Sequence, residues 1–242
     1  MSQPGWYPDP QGSGSLRWWN GDHWTEHLNP EPPASRRPDP PAAPAWQPVS
    51  SYQRPVDAIV RGALLRADEH AVTYAGVSMP WAHVEWVAYW AATAPGGHER
   101  APAVQWIFQV GRHPFHGGPR VEVVFEDVAV HVPGRADATA EAVWRDLVEL
   151  CRMCAEQRLV DELARRVRDG DAVDVAHGLS VHPGGVRGGR VSLSWSAIAG
   201  AVLEDGRVWI RQSAGTAPVL YVPQQNPNAV LIPALLAVLR GS

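Results

Sequence analysis

The chain has 242 residues and a formal net charge of -4, which excludes whole-protein attraction to nucleic acid or to an anionic membrane and leaves only a local basic patch as a route to either. All of its basic side chains other than histidine are arginine; there is no lysine. Hydrophobic residues make up 45%, enough to pack the core of one or two domains.

The first element is an aromatic cluster. Trp6, Trp18, Trp19 and Trp24 lie close together in GWYPDPQGSGSLRWWNGDHWTEHLNP. LRWWNGDHWTEH reads as a β-hairpin, with Asn20-Gly21 supplying the two positive φ angles of a type I′ turn. In that register Trp19 faces Asp22, Trp18 faces His23 and Arg17 faces Trp24. Trp6-Tyr7-Pro8 folds back over one face. The N-terminus has no basic n-region and no apolar h-region, so it does not read as a signal peptide. Two readings of the rings stay open. They hold a very small module together, or some of them, with Tyr7, Trp18, Trp19 and Trp24 as candidates, dock a protein partner.

This stretch resembles a short Trp-rich actinobacterial module, domain of unknown function 2510. The residues that carry the resemblance are Gly5, Trp6, Tyr7, Pro8, Asp9 and Pro10, then Arg17, Trp18, Trp19, Asn20 and Gly21, then Trp24, Thr25, Glu26 and His27. The resemblance implies a unit of residues 1–28 that sits at one end of otherwise unrelated proteins. Residues 29–55 follow, rich in proline and poor in large apolar side chains. They read as a disordered polyproline tether between the module and a core.

The remaining chain contains an internal repeat at a constant offset of 114 residues. Val72, Val77, Ser78, Met79, Trp81 and Val84 align with Val186, Val191, Ser192, Leu193, Trp195 and Ile198. Further on, Val104-Gln105-Trp106-Ile107 matches Arg207-Val208-Trp209-Ile210 in character. In the second copy strands are predicted near 172–176, 179–182, 185–187, 190–194, 198–204, 207–212 and 218–222, with a turn at Glu204-Asp205-Gly206. A closing helix should start at an Asn228 N-cap, with Pro233 kinking it. Between the copies, Val143, Leu147, Leu150, Cys151, Cys154, Leu159, Leu163 and Val167 follow helical spacing. Asp137 or Thr139 can start that helix and Gly170 can end it. A break is expected near Glu156-Gln157-Arg158, the first half capping copy one and the second half packing on copy two.

Several short strands followed by one helix, with MPWAHV and LSWSAI as cues, resemble bacterial pleckstrin-homology-like (PH-like) domains over residues 56–242. The resemblance implies two tandem split β-barrels, residues 56–155 and 156–242, each closed by a helix, in an overall mainly-β, α+β chain. It also implies a scaffold that binds peptides, proteins or lipids.

No catalytic constellation, metal set or cofactor motif is found. Cys151 and Cys154 form a lone CxxC in a helix, without the four ligands that zinc requires, and read as core residues of a protein in a reducing, cytoplasmic compartment. His113 and His116 in GRHPFHGG read as loop residues. GGVRGG is too short for a phosphate cradle. The apolar runs are too short or too polar to span a bilayer. The leading expectation is therefore a non-enzymatic scaffold or adaptor for an unknown protein partner, without nucleic acid. The alternative is a peripheral binder of anionic lipid head-groups through Arg187, Arg190, Arg207 and Arg211.

Overall fold

The computed structural model describes residues 5–8, 15–19, 22–30, 55–94, 103–126, 130–135, 137–214 and 220–241. The chain divides into two compact units, residues 1–51 and 52–242. Most of the expected tether, from residue 31 to 54, lies outside the described residues, as does the Asn20-Gly21 turn.

The first unit contains a three-stranded antiparallel sheet of β1 (Gly5–Pro8), β2 (Ser15–Trp19) and β3 (Trp24–Pro30), in the order β1-β2-β3. The sequence register needs correction here. Trp19 pairs with Trp24 rather than with Asp22, and Arg17 pairs with Leu28 rather than with Trp24. The connection is thus four residues long. The ladder shifts between Arg17 and Trp19, because β3 carries extra residues that a tight two-residue hairpin cannot hold. The GWYP segment is a full strand, with Trp6 opposite Trp18 and Tyr7 opposite Arg17. Asn29 and Pro30, expected in the tether, end β3.

The second unit repeats one order of elements twice. In the first copy β4 (Val56–Val60), β5 (Ala63–Ala67), β6 (Ala71–Tyr74) and β7 (Val77–Pro80) form a meander, and β11 (Val130–His131) adds to the free edge of β4. A 3-10 turn, Trp81–His83, leads into a second sheet of β8 (Trp86–Ala94), β9 (Ala103–Gly111) and β10 (Arg120–Phe125). Helix α1 (Ala140–Cys151) follows and packs on β9, β4 and β10. The second copy has β12 (Val173–Ala176), β13 (Leu179–His182), β14 (Gly185–Gly188) and β15 (Val191–Ser194), then a 3-10 turn, Trp195–Ala197. It continues with β16 (Ile198–Glu204), β17 (Arg207–Gln212) and β18 (Leu220–Pro223). All these sheets are open and antiparallel.

The repeat holds at the level of packing. β6, β7 and the Trp81 turn recur in β14, β15 and the Trp195 turn at the offset of 114. Val72 and Val186, Met79 and Leu193, and Val84 and Ile198 are all buried. The indole N–H of Trp81 donates to the carbonyl of Asp68 at 2.7 Å, and that of Trp195 to the carbonyl of Pro183 at 2.7 Å. Each bond ties the turn back to the preceding β-turn. Asp205 and Gly206 both have positive φ, 50° and 71°, the type I′ geometry expected of that hairpin.

Two details of the repeat differ. Trp81 is only 2% exposed, whereas Trp195 is half-buried. The reason is the helical segment that lies over the Trp81 turn; the C-terminal helix Ile232–Arg240 packs chiefly on β16 and on the central helix instead. The match of Trp106 with Trp209 fails in phase. Trp106 is buried in the core, while Trp209 lies on the outer side of β17, between the buried Val208 and Ile210.

The central segment is one helical run with no break, contrary to the sequence expectation. Thr139 Oγ1 accepts from the Ala142 N–H at 3.2 Å and starts α1. A π-helical turn, Arg152–Glu156, passes directly into α2 (Gln157–Arg168), and the flanking residues keep right-handed helical angles. Gly170, with φ of 106°, follows the end. A π turn takes up an extra residue without ending the helix. That is why Glu156-Gln157-Arg158, without a single helix breaker, does not interrupt it. As expected, α1 packs on the first copy; α2 packs on β12 and on α3 (Ile232–Arg240) of the second.

Asn228 and Pro233 also need correction. Asn228 has φ of 62° and makes no side-chain cap; a 3-10 turn, Ala229–Leu231, precedes α3. Pro233 stands in the first turn of α3, where its missing N–H costs nothing, so it does not kink the helix. Among the described residues no helix is long and apolar enough to cross a membrane.

Candidate functional site

The outer side of the β16–β17–β18 sheet gathers two of the candidate arginines. Strand alternation buries Val208, Ile210, Leu220 and Val222 and turns Arg207, Trp209, Arg211 and Tyr221 outward. Trp209 pairs with Tyr221 across the ladder. Their rings lie 5.1 Å apart at 49°, and Tyr221 is 54% exposed. The Arg207 guanidinium sits 5.1 Å from the Tyr221 ring and 5.7 Å from the Trp209 ring. Cation–π contact holds such a guanidinium over an aromatic face without an ion pair. Arg211 meets Glu204 at 3.5 Å. The face is therefore an aromatic pair with a guanidinium stacked on it, flanked by one solvent-screened ion pair.

The other two arginines belong to the other sheet. Arg187 is in β14 opposite Ser180 and Ser192, and Arg190 is in the β14–β15 turn; both are exposed. The four candidates are thus divided between two sheets. In the first unit Trp24 is 38% exposed and stands opposite Trp19 in the ladder. The side chains of Tyr7, Trp18 and Trp19 lie outside the described detail.

The seam between the copies carries polar groups, Asn228, Glu156 and Arg158 among them, whose place there the sequence did not indicate. β8 is an edge strand, and residues 224–228 cover that edge. Asn228 Oδ1 accepts from the Val87 N–H at 3.1 Å, and its N–H donates to the Val87 carbonyl at 2.8 Å. Its Nδ2 donates to the Glu85 carbonyl at 3.3 Å, and Gln224 Nε2 to the Tyr89 carbonyl at 2.7 Å. Nearby, the π turn brings Glu156 toward Tyr89 and Arg152, whose Nε donates to the Tyr89 hydroxyl at 3.4 Å. Glu156 Oε1 and Arg158 Nε are buried without a partner among the described residues. Burial pushes the Glu156 carboxyl up to about 7, against the opposing pull of Arg152. Burial likewise raises the Tyr89 phenol. Arg158 Nη2 donates to the carbonyls of Trp81 and Val84, at 3.0 and 2.6 Å, and so ties the helix to the 3-10 turn.

Cys151 is buried and Cys154 half-buried, and desolvation raises both thiols. Among the described residues no group of three or more His, Cys, Asp or Glu is placed to hold a metal. His113 and His116 are in the β9–β10 loop, as expected. The sequence missed the carboxylate beside His113, because Glu85 comes from 28 residues earlier: its Oε2 accepts from the His113 N–H at 2.9 Å, and its Oε1 from Arg112 Nε at 3.0 Å. These bonds, the His113 N–H first, hold the Glu85 carboxyl below the usual range.

These features define a duplicated antiparallel β protein with a shared helix, a stapled seam and an arginine–aromatic outer face. Residues 4–46 match a family described as a protein of unknown function (DUF2510), a match that runs on into the proline-rich stretch. No curated protein and no solved structure matches the chain.

Proposed function

We propose that the chain is a non-catalytic scaffold whose second unit is a pair of PH-like domains and whose docking surfaces are aromatic. The observation that carries this reading is the outer face of β16–β18. Trp209, Tyr221 and Arg207 are the residue types that anchor protein interfaces, and here they stand together on one antiparallel sheet, with Arg207 and Tyr221 exposed and Trp209 half-buried. The repeated order of two meanders and a helix supports the PH-like assignment. The Trp-rich sheet is a second docking element in the same reading, with Tyr7, Trp18, Trp19 and Trp24 as its contacts.

The test is site-specific photocrosslinking in the native cell from position 221 and, separately, from position 24, with the adducts identified by mass spectrometry. One recurring protein adduct at position 221, lost in Arg207→Glu, supports the scaffold. Adducts to lipid alone favour the head-group reading. Small-molecule turnover by the purified chain would overturn the non-catalytic part.

A further inference from the structure

At the seam the β9–β10 loop and the β12–β13 turn enclose an open cleft of about 400 Å³, lined by Trp86, Gln109, His113, Phe115, Arg120 and His177 among others. The loop is held in one shape. Arg112 N–H donates to the Pro119 carbonyl at 3.1 Å, and His116 N–H to the His113 carbonyl at 3.2 Å. His113 takes a left-handed φ of 57°, which costs free energy in a non-glycine residue and persists because Glu85 anchors the loop from below. Gly118 fits only without a Cβ, which would lie 2.8 Å from the Arg112 carbonyl oxygen. Trp86 forms part of the floor, its Nε1–H donating to the Arg112 carbonyl at 3.2 Å.

The polar lining is one-sided in chemistry. His113, His177, Arg120 and Gln109 line the cleft, and no carboxylate does. Glu122 and Glu85 orient these groups while leaving donors over. Glu122 Oε2 takes Gln109 Nε2 at 3.1 Å and Arg120 Nη2 at 3.1 Å, so Nη1 and Nε of Arg120 remain. Glu85 faces Nδ1 of His113 at 3.5 Å, so Nε2 remains. Among the described residues the His177 imidazole has no partner. Phe115, 38% exposed, and Trp86 supply an apolar wall.

We propose that this cleft binds a small organic anion, a carboxylate or a phosphate ester carried on a flat apolar body. The anion lies between Arg120 and the two imidazoles, which come from opposite copies, and the body lies against Phe115. Such a ligand bridges the copies. The site is separate from the β16–β18 face and does not rest on the docking reading.

The experiment uses the full chain, with benzoate and phenyl phosphate as probes and phenethylamine as the cationic control. Binding is followed by calorimetry and by the histidine ring signals in NMR. Saturable binding of benzoate, phenyl phosphate or both, shifting the His113 and His177 signals, is expected, and the better probe identifies the charged group. Arg120→Gln and His177→Ala each weaken it about tenfold, equivalent to one lost charge-assisted contact. Both residues are exposed, so the melting temperature stays put, and Arg165→Ala, at an exposed arginine of α2, leaves binding unchanged. Equal binding of phenethylamine, unchanged affinity in both cleft variants, or no saturable shift at millimolar probe would overturn the proposal.

Discussion

Asn228 and Val87, 141 residues apart, grip each other through two hydrogen bonds: the Val87 N–H donates to Asn228 Oδ1, and the Asn228 N–H donates to the Val87 carbonyl. The pair closes the exposed edge of β8 and joins the copies, which is how an edge strand is kept from pairing with another chain. Replacing Asn228 by Ala leaves the Val87 N–H and the Glu85 carbonyl without partners and puts an ordinary side chain at a left-handed φ. Asn228→Ala should cost about 2–3 kcal/mol in urea unfolding, and Asn228→Gly less, since glycine accepts the φ. Equal stability of Asn228→Ala and wild type would remove the seam from the account of the fold.

Glu156 should make stability fall with pH. Its folded pKa is raised from 4.5 to about 7, so between those values the folded state holds a proton that the unfolded state has released. The stabilisation is complete below about pH 4.5 and is lost as pH rises through about 7, with a total of order 3 kcal/mol. Glu156→Gln, neutral throughout, should flatten that part of the profile and raise stability at pH 8. The measurement is denaturant unfolding of both proteins from pH 5 to 8. Parallel profiles would mean that Glu156 is hydrated.

The two repeat tryptophans should differ in weight. Trp81→Ala should cost about 3–5 kcal/mol, as deletion of a buried aromatic does. Trp195→Ala, on a half-buried ring with the same indole bond, should cost about 1–2 kcal/mol. Chemical denaturation of both variants tests the order, and a reversal would contradict the packing of the helix on the Trp81 turn.

Cys151 and Cys154 should react slowly with a thiol reagent in native protein and fast in denaturant, with Cys151 the slower of the two. Only thiolate reacts, and burial disfavours it. Rapid native modification of Cys151, or stoichiometric zinc in protein purified without added metal, would overturn this.

Deleting residues 1–54 should leave the melting temperature of the remainder nearly unchanged, since the second unit has its own core from Val56 to Leu236. Differential scanning calorimetry of the truncated and full-length chains tests it. A loss of several degrees would make the Trp-rich unit a structural part of the core.

Period-2 and period-3.6 patterns carried most of the second unit. All seven strands of the second copy lie within about two residues of their sequence positions, and Asp205-Gly206 announced its turn. The repeat was legible where side chains face inward on both copies, as at Val72 and Val186, and misleading at Trp106 and Trp209, where one ring faces in and the other out. The Trp-rich ladder was misread because Asn-Gly chemistry predicts a short turn, while register is set along the strands. The seam was invisible: Glu85 and Gln224 are ordinary polar residues, and Asn228 reads as a helix cap, until the fold brings β8 and the 224–228 segment together.

The π turn at Arg152–Glu156 has a consequence for how this protein tolerates length change. One residue more or less in an α-helix swings everything after it by about 100°. This turn absorbs its spare residue, so α1, which buries Val143, Leu147 and Cys151, and α2, which buries Leu159, Ala164 and Val167, keep the phase that regular winding would give them without it. Loss of a single codon within this turn would restore regular winding with α2 still in phase, whereas the same loss within α1 would swing α2 and carry Arg158 off the carbonyls of Trp81 and Val84. The midpoint of the helix is therefore where this helical run can absorb a one-residue change in length while both halves keep their packing.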